Sequence, residues 1–447
     1  MPLEARAGAV GSGTMTRIWT GLAAACLVLA GCTERETILP GERLSLTGEP
    51  LGAAASGPEP IALAAPVALA DWTHTNSGPT HLAPHAALSA TPAPIWAAPI
   101  GQGNDRRHRI TAAPVVEAGR IYTLDSRATV MAHDLSGRPL WRRDLTPPGE
   151  DPDDASGGGL AASGGRLYVT SAFGRLAALD GATGATIWSQ RLGAASTGAP
   201  TVRGDLVYAV GRDGVGWAIE TANGRIRYEI PGLPDVAGVT GPGGPAVSDR
   251  LAIFPFGSET LVATFREGGT PAWTASLGGA RTGAAYAGLT DVTGAPVIDG
   301  GTVYAGNATG RIAAFDAASG ARLWTARDGA LGGPVWPAGG SVFAVTDAGS
   351  AVRLDASDGS LIWEAELPGF TRDKPRRRKA VFAHYGPVLA GGLVWIASSD
   401  GLLRGLDPVS GATVRTAPIP GGAASAPALV GGALYVVTTE GQLVAYR

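Results

Sequence analysis

"AAPVVEAGRIYTLDSRATVMAHDLSGRPLWRRDL", residues 112–145, contains four short runs in which apolar and polar residues alternate: APVV, RIYTLD, TVMAHDL and PLWRRDL. Alternation at period two marks half-buried strands, and the Gly and Asp residues between the runs favour antiparallel hairpins. A single four-stranded sheet cannot cover both of its faces, so this unit needs like neighbours stacked against it. They are present. The pattern returns at 158–192, 198–230, 244–277, 294–328, 332–367 and 385–419, with the copy at 244–277 the most divergent. A glycine stands four residues before an anchor position in every copy, at Gly137, Gly184, Gly224, Gly269, Gly320, Gly359 and Gly411. The resulting spacing, roughly 45 residues, is that of four-stranded propeller blades.

The anchors Trp141, Trp188, Tyr228, Trp273, Trp324 and Trp363 are predicted to wedge between adjacent blades; Arg415 stands in the seventh copy, which makes that seam the weakest. An eighth copy, "SAPALVGGALYVVTTEGQLVAYR", stops at Arg447 with three strands. Its missing strand is the aromatic one, and "PIWAAPI", residues 94–100, has that pattern with Trp96 at the anchor. The fold class that follows is all-β: an eight-bladed β-propeller of four-stranded antiparallel blades, its ring closed by an N-terminal strand so that no long sheet edge is left dangling.

Composition agrees. The chain has 447 residues, 67 of them Gly and 33 Pro, and only 16% are charged, which suits short strands and tight turns better than long helices. A net charge of -3 provides no bulk attraction to nucleic acid. Both cysteines, Cys26 and Cys32, lie near the N-terminus, so no disulfide or cysteine metal site can brace the repeats.

Residues 15–32, "MTRIWTGLAAACLVLAGC", combine a positive Arg17, a short apolar run and small residues before Cys32. That is the layout of a secretory signal, and the apolar run is too short for an ordinary membrane span. Leu29-Ala30-Gly31-Cys32 resembles the lipobox of bacterial lipoproteins, which implies that Cys32 is lipidated. Thr33 after it favours the outer membrane. The organisation read from the sequence is a signal peptide at 1–31, with Met15 as the true start, a flexible tether at 32–90, and the propeller at 91–447. A tether of that kind tolerates shortening before Ala90.

Other candidate features read mostly as structure. Asp134, Asp180, Asp316, Asp355 and Asp407 recur before the turn into the fourth strand, where a carboxylate can accept from turn amides. His74, His81 and His85 crowd a Pro/Gly segment, but the surrounding ligand set is poor for a metal. His384 reads as a hydrogen-bonded loop histidine. The acidic loop "TPPGEDPDDASGGG" lacks EF-hand spacing. No P-loop, HExxH or Gly-x-Ser-x-Gly is present. The most unusual insertion is "FTRDKPRRRKAVFAHYGP", in which Arg372, Lys374, Arg376, Arg377, Arg378 and Lys379 crowd eight residues and supply the chain's two lysines. It is a solvated loop or a docking site for an acidic partner or anionic lipid heads.

Lipobox and eight such repeats together resemble the quinoprotein-type (PQQ-like) propellers, and among them the BamB family of outer-membrane β-barrel assembly lipoproteins. The resemblance covers nearly everything from Cys32 onward. It implies a non-catalytic scaffold without cofactor or metal, lipid-anchored at the periplasmic face of the outer membrane, monomeric within a hetero-complex. The implied partners are a BamA-type insertase, other components of the assembly (BAM) complex, and unfolded outer-membrane proteins. The implied contact loops are "PGLPDVAGVTGPGG" and "GGARTGAAYAGLTDVTG", with Val239 and Thr240 replacing a leucine-arginine pair and Asp291 the surviving acid; Arg376, Arg377 and Arg378 are further candidate contacts. Two rival readings are a propeller serving another envelope partner and a PQQ-dependent dehydrogenase. The latter is implied to need an adjacent-cysteine platform, and no cysteine follows Cys32.

Replacing Cys32→Ser is expected to move the protein from the membrane to the soluble fraction; retention on membranes after cell fractionation would refute the lipid anchor.

Overall fold

The four runs of each copy pair in chain order, giving four-stranded antiparallel sheets; among the described residues there are eight. The computed structural model describes residues 55–447 apart from 197, 233–242, 258, 279–293, 309, 331–332 and 373. Blade 1 consists of Val115–Glu117, Arg120–Leu124, Thr129–Asp134 and Pro139–Asp144. Blades 2 to 7 follow at 158–191, 201–231, 246–276, 297–326, 336–366 and 384–418. First strands of successive blades neighbour one another around the ring axis, while a fourth strand such as Pro139–Asp144 is largely exposed.

Blade 8 joins the two ends of the chain. Pro94–Pro99 pairs antiparallel with Gln442–Tyr446, placing Trp96 opposite Ala445, and the sheet continues through Ala433–Val437 to Ala428–Val430. Ala93 and Arg447 exchange backbone hydrogen bonds at 3.0 Å each where the other blades have a covalent turn. The fold is the eight-bladed propeller read from the repeats.

Each anchor is aimed at the next blade by the same local device. Five face an alanine on the third strand, Ala132 for Trp141, Ala178 for Trp188, Ala218 for Tyr228, Ala263 for Trp273 and Ala314 for Trp324, while Trp363 faces Arg353. The ladder shifts register immediately beside that pair. A bulge adds twist and redirects a side chain, and the alanine leaves room for the ring to lean outward. Trp141 Nε1 then donates to the Gly181 carbonyl of blade 2 (3.0 Å), and Trp188, Trp273, Trp324 and Trp363 each donate to the equivalent carbonyl one blade on, at 2.9 Å. Tyr228 does the same through its hydroxyl, 2.7 Å from Arg266 O.

The recurring glycine belongs to this contact. Gly184 has φ +72°, and a Cβ there would lie 2.5 Å from the Trp141 indole. The indole rests on the bare α-carbon of the next blade's turn. The turn aspartates hold that turn: Asp180 Oδ1 accepts from the Ala182 and Thr183 amides and the Thr183 hydroxyl.

Two sequence expectations need correction. Arg415 lies exposed and wedges into nothing, but the seam between blades 7 and 8 is packed all the same, inside an apolar cluster that runs through both blades. The reason for the arginine is topological. The turn that would receive an aromatic from blade 7 is replaced in blade 8 by the meeting of the two chain ends. The second correction is the boundary at 91: residues 61–88 of the expected tether pack onto the ring.

The wedge predicts unequal costs for two glycines in the left-handed region. Gly119→Ala has open space around its Cβ (φ +74°) and should cost about 1 kcal/mol in urea denaturation. Gly184→Ala should cost ~1–3 kcal/mol more, from the clash with Trp141; equal losses would refute the contact.

Candidate functional site

The first strand of every blade faces the ring axis with one edge unpaired, and buried backbone N–H groups need acceptors. Residues 67–88 supply them. Trp72 exchanges backbone hydrogen bonds with Val116 of blade 1 (2.8 Å each way). Ala162 N of blade 2 donates to Thr73 O, Val247 N of blade 4 to Pro79 O, and Ile298 N of blade 5 to Thr80 O. In blade 7, Ala86 N donates to Leu389 O and Gly391 N to Ala86 O; in blade 8, Gly431 N donates to Leu69 O. Blade 6 carries Pro337 at the matching position, with no N–H to satisfy, and there Trp336 stacks on Trp72 at 6.4 Å. The segment is a strap across the axis.

Its histidines complete the pairing. His74 Nε2 accepts from Val202 N of blade 3 (3.0 Å), so the ring proton sits on Nδ1, 2.8 Å from Thr73 Oγ1. His85 repeats the arrangement, accepting from Gly392 N and donating to Ala64 O. His81 Nδ1 lies 2.8 Å from Pro296 O. Burial pushes His74 down to about 3, helped by His81, and His81 down to about 4. The ring nitrogens of these histidines are engaged in hydrogen bonds to the strap and the blades. Asn76, Ser77 and His81 all adopt left-handed backbone, a strain that persists because both sides of the strap are tied to the blades. Towards its N-terminal end, Ser56 N and Gly57 N donate to Leu361 O and Ile362 O at the start of blade 6's fourth strand. Buried Arg353 donates to the Glu59 and Pro60 carbonyls. By sequence this Pro/Gly/Ala-rich segment without periodicity reads as a tether. The correction follows from donors that only the assembled ring presents.

Alternating strand direction puts the first-to-second turns, and the strap that touches them, on one face. The connections between blades emerge on the other. There the starts of the first strands crowd together: a Cβ on Gly159 would lie 2.3 Å from Ala199 Cα, and one on Gly243 2.8 Å from Ala295 Cα. This backbone contact is the physical reason for the repeated Gly-Ala-Pro and Gly-Gly-Pro motifs.

Both loops expected to bind a partner leave from this second face, between blades 3 and 4 and between blades 4 and 5. Val239, Thr240 and Asp291 lie outside the described residues, as does Cys32. Arg376, Arg377 and Arg378 are exposed on a third connection of the same face, after blade 6. His384 sits at its base, with Nε2 2.9 Å from Pro368 O and Nδ1 2.7 Å from Ser398 Oγ. Among the described residues no three His, Cys, Asp or Glu are grouped to hold a metal ion. Sequence reasoning missed the strap, although its signal was present: Trp72 and three histidines are unusual in a solvated linker.

The family model described as outer membrane protein assembly factor BamB matches residues 126–365 and 354–447. The chain belongs to this family. An assembly factor BamB of Xanthomonas campestris is 29% identical over 369 residues, covering 79% of this chain and 85% of the relative. That of Moranella endobia is 25% identical over 247 residues, and the match spans 54% of this chain and 63% of the relative's length. Among solved structures, BamB from Moraxella catarrhalis superposes with a TM-score of 0.65 at 18% identity, covering 80% of this chain and all of that one. Quinohemoprotein alcohol dehydrogenase from Comamonas testosteroni gives 0.64 at 15%, covering 84% and 80%. At such identities the superpositions establish the ring alone.

Strap docking should be acid-sensitive. The folded pKa values of His74 and His81 lie below the unfolded value near 6.5, so the unfolded chain takes up protons that the folded one refuses. The associated stability is complete above pH 6.5 and falls as pH drops towards 4, by about 2 kcal/mol per histidine at pH 4.5. Urea midpoints at pH 7 and 4.5 should show this loss, and His74→Gln should make it shallower; an unchanged pH dependence in that variant would count against the role of His74.

Proposed function

We propose that this protein is a non-catalytic scaffold of the outer-membrane β-barrel assembly complex, lipid-anchored through Cys32 at the periplasmic face. It binds a BamA-type insertase through the connections after blades 3 and 4 and assists insertion of outer-membrane β-barrel proteins. The match to the assembly-factor family over 126–447 carries the reading.

The quinoprotein alternative is less well supported by the residues themselves. The quinone and cation implied by the dehydrogenase relatives require a cysteine platform and a cluster of ligating side chains. No cysteine follows Cys32, and the described residues offer no such cluster. At the axis the blades meet through small residues on one face and through the strap on the other. These residues do not fit the group, and no step is assigned to it. What remains for function is the loop-bearing face, where connections of unequal length rise from a rigid ring.

Photo-crosslinkers placed at 232–243 and 279–292 in living cells are expected to capture a BamA-type insertase. Crosslinks from these positions exclusively to other envelope proteins would overturn the assignment.

A further inference from the structure

The connection after blade 6 is a structured projection. Phe382 N donates to Gly369 O (2.8 Å), Thr371 N donates to Ala380 O (3.0 Å), and Phe370 bridges Val381 between them. A 3-10 turn at Pro375–Arg377 caps this small hairpin, and His384 fastens its base. The tip exposes Arg372, Lys374, Arg376, Arg377 and Lys379, and the stem exposes Phe370 (43%) and Val381 (65%), with Arg378 over the Phe370 ring at 5.0 Å.

We propose that the hairpin 369–382 is a finger that docks on a bilayer surface through anionic phospholipid headgroups. Six basic residues and Asp373 give residues 372–379 a charge of +6 - 1 = +5; the chain totals -3, so the remainder carries -3 - 5 = -8. An anionic surface therefore attracts this finger and repels the rest, which orients the ring. Cations at the tip beside an exposed aromatic and an aliphatic suit headgroups above an apolar boundary, whereas an acidic protein surface gives Phe370 and Val381 no apolar layer to enter.

The position of the strap supports the same partner. Its N-terminal end is bound to Leu361 and Ile362, at one end of the blade 6 strand Leu361–Glu366, and the finger grows from the other end. Six residues of strand separate them, about 20 Å. Only residues 33–54 lie between Cys32 and the bound strap, a span of at most ~75 Å. Anchor root and finger thus lie on blade 6, at opposite ends of one strand and on opposite faces of the ring, a separation that the span of residues 33–54 exceeds. This orientation rests on the proposed lipid anchor; the charge and exposure of the finger do not.

The test uses the full chain with Cys32→Ser, so that no acyl chain is present, sedimented with vesicles. Binding is expected to phosphatidylglycerol/phosphatidylcholine vesicles and not to pure phosphatidylcholine, and to be lost in high salt. The double variant Arg376→Glu, Arg377→Glu should weaken it roughly a hundredfold, and Val381→Ser severalfold, with urea midpoints of both unchanged. Equal binding to both vesicle types, no binding, or full binding by the double variant would overturn the proposal. So would a variant that keeps vesicle binding but loses a purified insertase periplasmic domain, which would identify an acidic protein as the partner. Because the acyl chain is absent throughout, these outcomes leave the Cys32 anchor to be judged separately by cell fractionation.

Discussion

An indole resting on the bare α-carbon of a neighbouring turn sets the spacing of the ring. The glycine serves twice, adopting a left-handed φ and leaving the space a Cβ would fill, while the carbonyl within the turn accepts the indole N–H. Six anchors make this hydrogen bond to the next blade, Tyr228 by its hydroxyl. Trp96 makes the matching contact on Gly137, so the strand borrowed from the N-terminus is both the last strand of one blade and the wedge for the next. Closure and seam packing are one event, and Arg415 occurs where no turn exists to be wedged.

A closed ring creates a problem that no single blade has. Its first strands turn an unpaired edge towards the axis, where burial denies their amides water. Here the answer is covalently attached: the strap contributes carbonyls and two neutral imidazole nitrogens as acceptors, and Trp72 as the filling of the sector where Pro337 needs none. The histidine tautomers follow from the donors they meet. The strap occupies the axis on one face of the ring, and the connections between blades emerge on the other.

Fold class, blade number and the closing strand were legible because each depends on short-range alternation, turn chemistry and a repeat that can be counted. The turn aspartates were legible for the same reason: a carboxylate that recurs at one place in successive blades is serving the blade. The strap was not. Its residues have no period of their own, because their partners are distributed over all eight blades and are matched one at a time.

The sequence by itself determined what each blade is and how many there are, since strand, turn and anchor are encoded within some 45 residues. Tertiary structure alone decided where the linker ends and the body begins, and which face is free. Those depend on the backbone edges and crowded glycines of the assembled ring, groups that every residue carries and that become specific only once their neighbours are in place.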